Sequence, residues 1–171
     1  MIHTIMADLK GDQHKLCLTD SEGNFRRSIL PSYKGNRANV KKPLVLKTLK
    51  ELLIKEHNAY FRPGLEGDDC MGILATIKTN DVEKVIVSID KDMKTIPCTL
   101  WAQGKVQKID RATADRWFFY QVLVGDTADG YPGLPSVGPK KAEAILEGAV
   151  KDLKGRQQEY AYRYVKLWSA V

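Results

Sequence analysis

The sequence predicts an α/β protein built on a parallel sheet, with a helical region after a soft boundary near Asp110. Two patterns predict it. Val85-Ile86-Val87-Ser88-Ile89 is a continuous apolar run of the kind found in a parallel sheet covered on both faces, and it delivers Asp90 at its carboxyl end, where open α/β sheets place ligands. From Arg111 onward the pattern changes to helix and turn. The 171 residues, 43% hydrophobic and 28% charged, are enough for one ordinary domain or a core with a small appendage. That composition excludes a disordered chain.

Taken in order, residues 2 to 9 read as a helix and Lys15 to Thr19 as a short buried strand ending at Asp20. Phe25 to Leu30 looks extended, and Pro31 to Arg37 is a turn carrying two cations. Between Pro43 and Asn58, Val45, Leu49, Leu52 and Leu53 recur at helical spacing and define an apolar face, with Lys47, Lys50 and Lys55 off it. A short extended piece from Ala59 to Arg62 ends in Pro63-Gly64, and a helix starts near Gly67. After the Val85 to Ile89 strand come a strand near Pro97 to Trp101 and a link to Ile109. Helices follow at Ala112 to Val124, Lys140 to Leu146 and Gln157 to Trp168, the first two separated by the turn GYPGLPSVGP.

Cys17, Cys70 and Cys98 are odd in number and widely spaced, which excludes a disulfide framework and paired zinc-ligand spacing. His3, His14 and His57 are equally scattered. No segment reaches the roughly 18 apolar residues of a membrane span, and MIHTIMADLKGDQ lacks the pattern of a secretion signal; a cytoplasmic protein is expected. The net charge of +6 is uneven, because Lys34 to Arg62 holds eight Lys or Arg against Glu51 and Glu56. Such a block suits a polyanion, although a charge run alone is more often a solvated helix face.

Seven carboxylates fall in three short clusters: Glu66, Asp68 and Asp69 in GLEGDD, Asp90 and Asp92 in SIDKD, and Asp126 and Asp129 in GDTADG. Each cluster alone is ordinary capping or turn chemistry. Together, acids converging on one place would repel one another unless cations joined them, and carboxylates with waters are the preferred ligands of Mg²⁺ or Mn²⁺. Two such ions about 4 Å apart can serve an in-line phosphodiester displacement. The third cluster runs into Gly133-Leu134-Pro135-Ser136-Val137-Gly138-Pro139-Lys140-Lys141-Ala142. Its glycines allow close backbone approach, and the amides opening the next helix, with Lys140 and Lys141, suit a phosphate. This pattern resembles a helix-hairpin-helix turn.

The ordered set FRRSILPSYKGNR, GLEGDD, SIDKDM and LVGDTADGYPGLPSVGPKKA resembles the 5′-nuclease family of flap endonucleases and phage or bacterial 5′-3′ exonucleases, over roughly Leu16 to Leu146. The resemblance implies a PIN-like, resolvase-like parallel-sheet nuclease core over residues 1–110, with a helical arch at about 34–62, and a helix-three-turn-helix DNA-binding region over 111–171. It implies that Asp20, Glu66, Asp68, Asp69 and Asp90 hold a first metal ion and that Asp92, Asp126 and Asp129 support a second. Tyr33, Lys34 and Arg37 would lie at the arch base, with Lys34 and Arg37 on the scissile phosphate diester. DNA would be bound by Lys41, Lys42, Lys47 and Lys50 of the arch and by Gly133, Ser136, Val137, Gly138, Lys140 and Lys141 of the hairpin, which in the family often binds K⁺ through backbone carbonyls. The expected substrate is DNA with 5′ ends or flaps.

The family also carries, well before the position of Asp20, a strand with a metal-binding Asp. That strand is not in this sequence, and Asp8 does not replace it; a truncated or split nuclease, its missing segment supplied by a second polypeptide or lost, is therefore expected. Two alternatives stay open, a DNA-binding fragment with impaired catalysis and a PIN-type ribonuclease.

Overall fold

A computed structural model of the protein describes residues 2–37 and 40–148. The expected helix at Gln157 to Trp168 lies outside the described residues. The chain divides into two units, one of residues 1–29 and 40–77, the other of 30–39 and 78–171. This division differs from a boundary at Asp110, because the helix that begins there packs against both the 90s segment and the following helix.

In the first unit, α1 (Ile2–Leu9) precedes β1 (Cys17–Leu18). The stretch read as extended, Phe25 to Leu30, instead contains a short helix, α2 (Arg26–Ile29). Its cause is local: the Asn24 side chain accepts the Arg26 N–H at 2.9 Å, an Asx turn that starts a helical turn. α3 (Val45–His57) then leads to β2 (Tyr60–Phe61), which pairs parallel to β1 with Cys17 opposite Tyr60. A crossover helix is what a parallel pair requires. α4 (Gly67–Thr76) packs on β1.

The inward side of α3 is not the one the spacing suggested. Val45, Leu49 and Leu52 are exposed, whereas Leu46, Lys50 and Leu53 are half-buried. Lys50 faces in because its ammonium donates to the Thr19 carbonyl at 2.7 Å and to Ser21 Oγ at 2.8 Å, an anchor no apolar periodicity reveals.

The second unit holds a mixed three-stranded sheet rather than a purely parallel one. β3 (Val85–Val87) runs parallel to β4 (Cys98–Ala102), and β5 (Lys105–Ile109) returns antiparallel to β4. β5 stands where a link was expected. Gln103 and Gly104 both take positive φ, 51° and 79°, as the tight hairpin turn demands, and the polar residues of KVQKI leave it largely exposed. β3 is not covered on both faces either: Ile86 is buried while Val87 and Ile89 are exposed.

Asp110 accepts the Thr113 N–H at 2.7 Å and so caps α5 (Arg111–Val124), the standard remedy for unpaired amides at a helix start. α6 (Pro139–Leu146) begins with Pro at its first turn, where a missing N–H costs nothing. Leu123, Leu134, Val137, Ala142, Ile145 and Leu146 form a shared apolar cluster between the two helices and their connecting turn. At its neck the backbones of Gly125 and Gly133 touch: a Cβ on Gly125 would lie 2.5 Å from the Gly133 nitrogen, and one on Gly133 would lie 2.4 Å from the Gly125 nitrogen. Only glycine fits at either place. No helix among the described residues is long and apolar enough to cross a membrane.

Candidate functional site

In the first unit Asp20, Glu66 and Asp69 are already met by protein donors. Asp20, just beyond β1, accepts backbone N–H groups from Glu22 and Gly23 on Oδ1 and from Gly64 on Oδ2, at 2.8–3.0 Å. The Gly23 amide, followed by those of Gly64 and Glu22, holds its pKa at about 2. Glu66 is buried and takes the Asn24 side-chain amide at 2.7 Å. Asp69 Oδ2 accepts the Glu66 N–H at 2.8 Å, closing a capping box at the start of α4. Both Asp69 oxygens also receive the Arg26 guanidinium, each at 2.7 Å, a bidentate fork. Asp68 is half-buried in the first turn of α4. Asn24 and Arg26 are therefore part of this cluster, although Arg26 lies in the stretch expected to be extended and Asn24 just before it.

The second unit arranges its acids differently. Asp90 caps a 3₁₀ helix at Lys91–Thr95 by accepting the Asp92 N–H at 2.9 Å. Asp92 takes the Gln121 side-chain amide from α5 at 2.5 Å. Burial pushes the Asp92 carboxyl above its ordinary value, and the charges of Asp90 and Asp126 push the same way. Asp126 Oδ2 pairs with the Lys91 ammonium at 2.7 Å, and the Lys91 hydrogen bond holds its carboxyl below the ordinary value. Lys91 is the cation of this group, visible in the sequence only as the residue between two acids; Gln121 carried no signal at all.

Asp129 lies on the turn that leaves α5. Residues 126–131 form a closed loop, with two backbone hydrogen bonds of 2.8 Å between Asp126 and Tyr131. The SYKGNR turn is stitched onto it: Lys34 N–H donates to the Asp129 carbonyl at 2.9 Å, and Asn36 Nδ2 reaches the Thr127 and Ala128 carbonyls at 3.4 and 3.3 Å. Tyr33 is buried and its hydroxyl donates to Asp129 Oδ2 at 3.1 Å. Lys34 and Arg37 both pair with the same carboxylate. Three residues assigned to an arch base from sequence thus meet one assigned to a metal.

Of the hairpin residues, Val137 is buried in the α5–α6 cluster, so its side chain packs the core. Ser136 takes φ of +61°, and its carbonyl accepts the Lys141 ammonium at 3.0 Å. Gly138 and Lys140 are exposed, as are Lys41, Lys42 and Lys47 in the first unit, whereas Lys50 is the inward anchor described above. Among the described residues, no group of three or more His, Cys, Asp or Glu side chains stands arranged to hold a metal ion. The fit to divalent ions differs by cluster. Asp90, Asp92 and Asp126 repel one another and have Lys91 as counter-charge, the condition a bound cation relieves. Asp20, Glu66 and Asp69 are occupied by amides and a guanidinium.

Against known proteins, the family described as 5′-3′ exonuclease, N-terminal resolvase-like domain, matches residues 1–116. The chain is 40% identical over 139 residues to an exodeoxyribonuclease of Enterobacteria phage T3, covering 77% of this chain and 45% of that protein. It is 39% identical over 131 residues to an exonuclease of Escherichia phage T7, covering 72% and 43%. To the flap endonuclease Xni of a Shewanella species it is 31% identical over 141 residues, covering 74% and 53%. The chain therefore spans about half the length of these relatives. Among solved structures, T5 5′-exonuclease with bound zinc ions aligns at a TM-score of 0.70 and 16% identity, covering 98% of this chain and 78% of that one. A T5 D15 flap endonuclease in a pseudo-enzyme-product complex with DNA and metal ions aligns at 0.62 and 15%, covering 97% and 77%. These neighbours establish the α/β resolvase-like fold.

Proposed function

The chain belongs to the 5′-3′ exonuclease family, and we propose that it acts as a divalent-metal-dependent nuclease on the 5′ ends or flaps of DNA, in phage or bacterial DNA replication or degradation. The observation that carries this is the joining, within one unit, of the cationic turn of Tyr33, Lys34 and Arg37 to the acidic loop of Asp126 and Asp129. Such a pairing serves a phosphodiester: acids for cations, and cations for the phosphate. The exonuclease and flap endonuclease relatives, and the metal ions and DNA in the T5 structures, support it.

Two Mg²⁺ or Mn²⁺ ions, when bound, supply an activated water and stabilise the leaving oxygen. Asp90, Asp92 and Asp126 would hold them, and Asp68 belongs to the acidic start of α4 in the first unit. Asp20, Glu66 and Asp69 shape that acidic start of α4 through their own hydrogen bonds. Lys34 and Arg37 bind and orient the phosphate diester. The exposed cations Lys41, Lys42 and Lys47 draw in a single-stranded 5′ end by charge, and Gly138, Lys140 and Lys141 at the start of α6 grip duplex backbone without reading sequence. In this reading the α5–turn–α6 segment is the helix-three-turn-helix element, and K⁺ at the hairpin would compete with Lys141 for the Ser136 carbonyl.

The test is cleavage of a 5′-flap DNA in Mg²⁺ by the wild type and by Asp90→Asn and Asp126→Asn, with duplex binding measured alongside. Cleavage lost in both variants with binding retained is the expected result; normal cutting by either one overturns the metal assignment. A single-stranded RNA cut in preference to the flap would make the protein a PIN-type ribonuclease. A second reading, a DNA-binding module with impaired catalysis, is favoured by the lack of a gathered metal group among the described residues. Its signature is salt-dependent duplex binding with no metal-stimulated cleavage.

A further inference from the structure

We infer that Asp129 is a positioning residue for Lys34 and Arg37, holding both cations at the place of a phosphodiester, and is not a ligand of a second metal ion; the inference deepens the nuclease reading and rests on it. Its carboxylate is already occupied on both oxygens. Oδ2 receives the Tyr33 hydroxyl at 3.1 Å and the Lys34 ammonium at 3.6 Å, and Oδ1 receives the Arg37 guanidinium at 3.1 Å. A metal ion there would crowd against a phenol and be repelled by an ammonium and a guanidinium at the same carboxylate.

The backbone makes this arrangement independent of the side chains it aligns. Lys34 N–H to the Asp129 carbonyl and Asn36 to the Thr127 and Ala128 carbonyls lock the two turns together. Gly130 lets them approach, since a Cβ there would lie 3.2 Å from the Ser32 carbonyl oxygen. Lys34 itself is held at φ of +53°, a conformation non-glycine residues keep only when their surroundings impose it.

Charge separates this carboxylate from its neighbours in sequence. Asp129 faces two cations, Lys34 and Arg37. Asp92 instead feels the like charges of Asp90 and Asp126, and the Lys91 ammonium pairs with Asp126. The GDTADG loop therefore sends its first acid to the metal and its second to the phosphate-binding cations.

Asp129→Asn and Asp126→Asn in the full chain test this, with Mn²⁺ affinity measured by paramagnetic titration and therefore without any turnover. Asp129→Asn is expected to leave Mn²⁺ affinity within about twofold of wild type, whereas Asp126→Asn, losing a ligand, weakens it about tenfold or more. In flap cleavage Asp129→Asn raises KM at unchanged Mn²⁺ dependence, and adding Arg37→Ala costs little more, because the two residues act as one unit. A tenfold loss of Mn²⁺ affinity in Asp129→Asn, or full additivity with Arg37→Ala, overturns the inference. The Arg37 side-chain Nε–H resonance supplies a readout free of metal and substrate: it shifts in Asp129→Asn if the pairing exists and stays put if it does not. A wild type that binds no Mn²⁺ and cuts nothing defeats the nuclease reading by itself, and the Arg37 resonance still decides what Asp129 holds.

Discussion

The acids at the start of α4 and the acids around Lys91 are similar in number and composition but opposite in state. Around α4, Asp20, Glu66 and Asp69 are each met by amides or by Arg26, and the pKa of Asp20 falls to about 2. Around Lys91, the carboxylates outnumber their cation, and the Asp92 carboxyl is pushed up. The difference teaches that acids of one chain can sit in opposite electrostatic settings: backbone amides hold Asp20 down, whereas burial and the charges of Asp90 and Asp126 push Asp92 up. Donors supplied by the fold turn the same residue types into structural fasteners.

The largest effect expected from this contrast is on chemistry. If the proposed metal-dependent cleavage holds, Asp126→Asn should lower flap cleavage on the order of 10³-fold, since bound metal ions would supply several kcal/mol of charge stabilisation, while thermal unfolding moves little. Next in size, Glu66→Ala should cost about 2–3 kcal/mol in urea unfolding, because it strands the buried Asn24 amide and removes half of a capping box. If Glu66→Ala instead leaves stability unchanged, the fastener role fails.

Asp20 gives a pH signature. Its folded pKa of about 2 lies below the ordinary 3.8, so its contribution is complete above the ordinary value and is lost as pH falls through the folded one. Acid unfolding of Asp20→Asn between pH 4 and pH 2 should therefore be shallower than that of the wild type. Asp92 has the opposite sign: its raised pKa means the charged form is disfavoured in the fold, so stability recovers as pH drops through it. Asp92→Asn, which keeps an acceptor for Gln121, should stabilise the metal-free protein by about 0.5 kcal/mol once solvent screening is allowed for. A loss of stability in that variant would erase the distinction between the two regions.

Much of the fold was legible because local rules were enough to specify it. The apolar run at β3 and the helices starting near Gly67, Ala112 and Lys140 all declare themselves within a few residues. The failures came where a distant partner decides. α2 forms through the Asn24 side chain, α3 turns inward on Lys50, and β5 is a polar edge strand that alternation did not mark. At the site, the acidic clusters were visible as motifs, but the residues that satisfy them were not. Asn24 and Arg26 reach Glu66 and Asp69 across 42 and 43 positions, and Tyr33 and Arg37 reach Asp129 across 96 and 92. No spacing pattern encodes bonds of that range.

The contact between Gly125 and Gly133 has a consequence for how this protein can vary. Those two backbones form the neck of a single lasso of chain, whose near side carries Asp126 and Asp129 and whose far side opens into the hairpin before α6. A methyl group at either glycine must prise the neck apart, moving the acidic loop and the hairpin in the same stroke. The two turns are therefore mechanically one part, and redesign of either has to keep the neck bare or rebuild both.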